Sequence, residues 1–268
     1  MRHVVRLSSR CAAAAACVTL GVTAPAFAQG DQASPPASVQ FLPRYDFTMS
    51  AAALVSDDDR YSWDTHWTGD LDVVDYGRGR ATFLADYQAL LGSEFRPFDP
   101  YQSNYLLEGS GSVRTQGTEI ALVFSHLSRH LGDRFKRLAV AENSLGVRVM
   151  RRAAGPDTTV DLRIDVRKVI AKAYLDYTSI SELDVAARHV TGPKTQVYGR
   201  LFGQYNTVDK TVAGRTGQYG GRLEAGIELA GQRGAVDLFA GVERVVDADP
   251  LDRLPQRWMF VGFRLKRR

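Results

Sequence analysis

The run Phe124-Ser125-His126-Leu127-Ser128-Arg129-His130-Leu131-Gly132-Asp133 holds the densest set of side chains able to do chemistry in this 268-residue chain. A serine near a histidine supplies a nucleophile and a base, and a third polar group must then orient the imidazole. Residues i and i+2 of a strand share a face, so His126 and Ser128 continue the apolar face that Ile120, Leu122 and Phe124 set. On the following strand, Leu145, Val147 and Val149 define a face that includes Asn143. A symmetric hairpin through 131–138 sets His126 opposite Asn143, roughly 5 Å apart at Cβ. Asn143 is therefore the orienting group ahead of Glu142, whose parity is opposite; a bulge would reverse that order. An oxyanion donor would come from a backbone N–H or from Arg129 and Arg134, which are also candidates to contact lipid phosphate. A plainer reading stays open, in which His126 rests at a membrane interface and Ser128 and His130 cap a strand end.

The elements that must position these residues are strands. Alternation with a period of two recurs along the chain. Val160, Leu162, Ile164 and Val166 alternate with Asp161, Arg163, Asp165 and Arg167, and Leu223, Ala225, Ile227 and Leu229 alternate with Arg222, Glu224, Gly226 and Glu228. Candidate strands are 44–55, 67–76, 80–92, 104–115, 117–130, 139–151, 159–168, 180–190, 195–206, 218–230, 235–246 and 257–266, with 169–179 free to extend the seventh or the eighth. Each is near the ~9–11 residues that a tilted strand needs to cross a bilayer. Tight turns at 77–79, 116, 154–157, 192–194 and 232–234 alternate with polar loops at 57–66, 93–103, 131–138, 207–217 and 247–256. A sheet in lipid must close on itself, because edge N–H and C=O groups find no water there. The expectation is an all-β fold: a transmembrane antiparallel β-barrel of about twelve strands. A soluble sandwich shares the alternation but not the loop rhythm.

Residues 1–28 read as a secretory signal: a basic start, the apolar run 12–20, and the cleavage site Ala26-Phe27-Ala28. Residues 29–43, with Pro35-Pro36, read as a flexible lead-in, and 44–268 as the barrel. Both cysteines, Cys11 and Cys17, lie in the signal, so the exported chain carries no disulfide and no thiol nucleophile. The formal charge of +4 also depends on the signal. Without Arg2, Arg6 and Arg10, the 34 basic residues fall to 31 against 30 acidic ones, which removes the case for nucleic-acid binding. Location follows as the outer membrane, with outer-membrane lipids and the barrel-assembly machinery as partners; monomer and dimer both stay open.

Inward positions collect both signs of charge, among them Asp70, Asp72, Asp86, Glu108, Arg114, Arg148, Arg163, Asp165, Arg188, Arg200, Arg222 and Glu224. A selective pore needs rings of one sign, so the leading expectation is a barrel with an occluded, mixed-charge lumen and no distinctive inward aromatic pocket. A lipid acyl hydrolase and a narrow selective channel are the alternatives. No cofactor is expected. Asp57, Asp58 and Asp59 are the weak candidates for a cation, without EF-hand spacing. His66 and His189 stand alone in the sequence and give no zinc pattern.

His-x-Ser on an outward strand, with a polar partner on the next, resembles the outer-membrane phospholipase A and lipid A deacylase families. That resemblance implies a catalytic Ser128–His126 pair and, for phospholipase A, calcium dependence and dimers of twelve-strand barrels. Those families usually have Asn after the serine, where this chain has Arg129. The longer string His126-Leu127-Ser128-Arg129-His130-Leu131-Gly132-Asp133 also resembles an H-x-S-x-H-L-G-D signature of exported bacterial barrels with no assigned activity. That second resemblance extends to the Arg-rich C-terminal strand and implies no reaction.

Overall fold

A computed structural model describes residues 38–132 and 138–267. The signal 1–28, most of the lead-in, and Arg134 lie outside these residues. The chain forms β1 (Gln40–Val55), β2 (Trp63–Asp75), β3 (Arg80–Gly92), β4 (Asp99–Thr115), β5 (Thr118–Leu131) and β6 (Val140–Ala154). It continues through β7 (Thr158–Ala173), β8 (Tyr177–Gly192) and β9 (Thr195–Val208), then the single turn α1 (Lys210–Ala213). The last three strands are β10 (Gln218–Ala230), β11 (Gly234–Asp249) and β12 (Leu254–Arg267). Each strand pairs with its neighbours in sequence, and β1 pairs antiparallel with β12, from Thr48 opposite Lys266 to Val55 opposite Met259, which closes the barrel.

The strands are longer than crossing a bilayer demands. They run from 13 to 17 residues against the ~9–11 that suffice, and the surplus lies mostly at the end that carries the longer loops. The stretch 169–179 extends both candidate strands, leaving only 174–176 to join β7 to β8. At the other edge β1 starts at Gln40, inside the expected lead-in, because Gln40 and Phe41 pair with Asp75 and Val74. The register shift before Arg44 accommodates Pro43, which has no N–H to give to the ladder. The opposite end turns tightly. Gln116 (φ 46°) and Gly117 (φ 75°) are both left-handed, the combination a two-residue type I′ hairpin requires.

Alternation sets the two faces. On β5, Leu122 and Phe124 are exposed outward while Ala121, Val123 and Ser125 are buried inward. The inward charges form a continuous lattice of pairs. Arg148 Nε donates to Asp165 at 2.7 Å and its Nη2 to Glu108 at 2.8 Å. Arg167 meets Glu182 at 2.7 Å, and Arg264 bridges Glu224 and Asp237 at 2.9 and 3.1 Å. Such groups remain ionised away from bulk water only when paired and hydrogen-bonded.

The interior also holds a distinct aromatic cluster, where the sequence led to no distinctive inward aromatic pocket. Tyr61, Tyr101, Phe239, Trp258 and Phe260 share one buried cluster, with Tyr61 5.3 Å from Tyr101 and 5.4 Å from Trp258 between ring centroids. Phe239, Trp258 and Phe260 have the inward parity. Tyr61 comes from a loop, and tertiary packing alone brings it to them. The loops above are laced together. Arg60 donates to Asp58 at 2.7 Å and to Asp249 at 3.1 Å, and Arg215 donates to Asp176 and Asp247, each at 2.6 Å. Burial raises the Asp176 carboxyl, but the hydrogen bonds and charge of Arg215 outweigh it and hold the group below the usual carboxylate range. A depressed native value means this clamp is intact above the unfolded carboxylate pKa near ~3.9 and loosens as pH falls through the native value.

Replacing Arg148 with Met leaves Glu108 and Asp165, whose side chains are 7% and 0% exposed, with only the longer contacts to Arg167 at 3.7 Å and Arg163 at 3.3 Å. The expected cost is about 3 kcal/mol, read as a lower urea midpoint for loss of the folded, heat-modifiable gel band. An unchanged midpoint would show that the interior lattice does not carry stability.

Candidate functional site

β5 and β6 pair with His126 directly opposite Asn143 and Ser128 opposite Ala141. His126, Ser128 and Asn143 carry the outward parity, and all three are half-buried. His126 Nδ1–H donates to Asn143 Oδ1 at 2.6 Å. An amide oxygen only accepts, so this bond fixes the proton on Nδ1 and leaves Nε2 with its lone pair. A base-and-orienter couple of this kind is what a serine nucleophile needs. Ser128 sits two residues along the same face, and among the described residues no hydrogen bond joins it to His126.

Depth comes from the neighbours. Trp67 pairs with Tyr87, Tyr87 with Tyr105, and Tyr105 with Ser128, in one row across β2–β5. Their ring centroids are 5.5 and 5.1 Å apart, and His130 stands edge-on to Tyr105 at 5.5 Å. An outward aromatic row marks the level of a membrane interface. Ser128 takes the next place in that row, followed by the small residues Ala141 and Ala173. The row thus drops from large rings to small side chains where Ser128 stands.

The other site residues fall elsewhere. Glu142 is buried inward, opposite Leu127 and Lys172, so Asn143 alone can orient His126. Arg129 does not face Ser128: it has the inward parity, and its Nη2 donates to the Ala248 carbonyl at 3.0 Å. Strand alternation thus turns Arg129 away from an oxyanion at Ser128. Arg134 lies outside the described residues. Asp57, Asp58 and Asp59 do not converge, since Asp58 is taken by Arg60 while Asp57 and Asp59 point to solvent. The hydrogen bonds from Arg60 hold the Asp58 carboxyl below its ordinary range. Among the described residues no three His, Cys, Asp or Glu side chains gather as metal ligands.

His66 is not isolated. It faces inward between Asp86 (2.8 Å) and Asp64 (3.2 Å), a pairing across strands that linear sequence does not display. Lys168 is a residue the sequence reading passed over. It is exposed on the outward parity of Ile164 and Val166, opposite Leu145 and one pair below Asn143. An unbroken apolar parity interrupted by one lysine was the signal available.

No known family profile and no curated protein sequence matches the chain. Solved structures do. The outer membrane phospholipase A from Escherichia coli superposes with a TM-score of 0.51 at 13% identity, over 84% of this chain and 97% of that one. The Salmonella typhi outer membrane phospholipase, a dimer with bound calcium, gives 0.51 at 13% identity over 87% and 93%. The fold is that of an outer-membrane β-barrel. The KdgM porin is a looser match, with a TM-score of 0.45 at 9% identity over 82% and 97%.

The His126–Asn143 bond has a direct spectroscopic consequence. With His126 isotopically labelled, nitrogen NMR in micelles is expected to show the Nδ1–H tautomer, and Asn143→Leu is expected to shift it toward the Nε2–H form that predominates in free imidazole side chains. Identical spectra for both proteins would remove Asn143 as the orienting group.

Proposed function

We propose that this protein is an outer-membrane enzyme that hydrolyses acyl esters of outer-leaflet lipids on the outside wall of a barrel with a closed interior. The observation that carries this reading is the His126–Asn143 hydrogen bond of 2.6 Å on the lipid-facing parity beside Ser128. Polar groups on that face are unfavourable unless they lie near the interface, and the aromatic row places them there. An ester at the glycerol or glucosamine level of a lipid would meet Ser128 without leaving the membrane.

In this reaction Ser128 Oγ attacks the ester carbonyl while His126 Nε2 takes the hydroxyl proton, and Asn143 holds the resulting imidazolium. The tetrahedral intermediate collapses, the C–O bond to the lipid alcohol breaks, and His126 returns the proton to that oxygen. Water, deprotonated by His126, then attacks the acyl-serine carbonyl; the bond to Ser128 Oγ breaks, His126 returns the proton to Oγ, and the fatty acid is released. Calcium belongs to this proposal only through the resemblance to phospholipase A.

The interior supports a closed lumen rather than a channel. Opposed charges pair across it, and the aromatic cluster of Tyr61, Tyr101, Phe239, Trp258 and Phe260 fills it near the loop end. The Arg60 clamp ties loops beside that cluster, and the Arg215 clamp ties loops beside a second cluster that includes Tyr177 and Val246. Wild type in planar bilayers is expected to show no large steady conductance, whereas Arg60→Gln with Arg215→Gln is expected to open transient currents. Large, steady, weakly selective conductance by wild type would establish a channel instead.

The hydrolase reading is tested on purified barrels in detergent, with phospholipid and with lipid A, with and without calcium. Ser128→Ala and His126→Ala are each expected to lower fatty-acid release by at least ~10³-fold, because nucleophile and base act as a unit. Asn143→Ala is expected to cost about ten-fold, the worth of one well-placed hydrogen bond. Equal release by all four proteins, or none by wild type in any condition, would leave the barrel without this activity.

A further inference from the structure

On the far side of the barrel from Ser128, one outward row across β9–β12 reads Gly203, Gly221, Arg244, Arg257. Arg244 and Arg257 are direct cross-strand partners. Like charges directly opposite on a sheet destabilise it, so the pair calls for an anion between or above them. Among the described residues neither arginine has a carboxylate partner. Arg244 lies over the Tyr219 ring at 3.9 Å, and its Nε and Nη1 are buried with no hydrogen-bond partner. This differs from the interior, where Arg148, Arg167 and Arg264 each meet at least one acid.

The next row toward the membrane centre is wholly apolar: Leu201, Leu223, Val242, Met259 and, on β1, Val55. These five are 49–62% exposed. Together with the floor at Gly221 and the two arginines they line a depression of about 620 Å³. The depression opens on the outside wall, with its cations toward the loop end and its apolar floor toward the membrane centre. That polarity matches one molecule of an outer-leaflet lipid, phosphate upward and acyl chain downward.

We propose that Arg244 and Arg257 clamp the phosphate of an outer-leaflet lipid whose acyl chain lies in the groove over Leu223, Val242 and Met259. Guanidinium forks fit phosphate oxygens in pairs, and among the described residues no carboxylate fills the fork of Arg244 or of the exposed Arg257. The site is separate from Ser128 and stands whether or not the barrel is a hydrolase. Its effect is to hold a lipid against the barrel wall and to relieve the arginine pair.

The test uses the full barrel in detergent micelles carrying Ser128→Ala, so that no turnover consumes the probe. Binding of hexa-acyl lipid A bearing its phosphates is compared with that of the same lipid stripped of phosphate. The parent is expected to bind the phosphorylated form at least ten-fold more tightly. Arg244→Gln with Arg257→Gln is expected to abolish that preference. Arg257→Gln alone, at an exposed position, is expected to reduce it while leaving the heat-modifiable band intact, which keeps the test valid if the double variant folds poorly. Leu223→Trp, which fills the groove without touching the charges, is expected to weaken lipid A while leaving binding of inorganic phosphate unchanged. Binding that ignores the phosphate, or a preference that survives in Arg257→Gln and in the double variant, would overturn the proposal.

Discussion

Every other feature of this protein depends on the pairing of β1 with β12. A sheet whose two faces differ this sharply, apolar outside and charged inside, has no stable open form in a bilayer, because each edge strand would expose a row of unpaired N–H and C=O groups to lipid. The β1–β12 register from Thr48–Lys266 to Val55–Met259 removes both edges at once. Closure also gives each residue parity one meaning all the way round. An odd residue on β5 and an even residue on β12 look into the same lumen.

That common meaning allows the interior to hold so much charge. Arg148, Arg167 and Arg264 find carboxylates one or two strands away in the same sheet. Arg60 reaches Asp249 across 189 residues, a contact that the meeting of β1 with β12 brings about. A buried pair is costly to break and often neutral to replace whole. The lattice therefore fixes which side chains face inward more than it adds net stability, and a one-residue slip would turn its charges toward lipid.

The outward polar residues are the exceptions to the apolar wall, and they come in two kinds. His126, Ser128 and Asn143 are mutually placed in and just below the aromatic row; Arg244 and Arg257 have no acid partner among the described residues and stand above an apolar groove. Neither set is explained by the barrel's own folding, since an apolar side chain would serve the wall better at each place. Both lie toward the loop end of the wall, where the proposed lipid ester and lipid phosphate would reach them.

The sequence by itself determined strand number, face parity and the opposition of His126 to Asn143, because period-two alternation and hairpin symmetry are local and the β5–β6 connection joins neighbours. The same parity already turned Arg129 away from Ser128, yet a short string of adjacent polar letters made it look like part of one site. Strand length was less legible: 40–43 and 169–179 carry weak alternation, and only pairing with partners such as Asp75 on β2 or Val208 on β9 makes them strand. Tertiary structure alone decided the Asp64–His66–Asp86 contact, the aromatic cluster around Tyr61, and the Gly203–Gly221–Arg244–Arg257 row. Each depends on register between separate strands or on a loop folding back, and register is a property of the closed sheet rather than of any one segment.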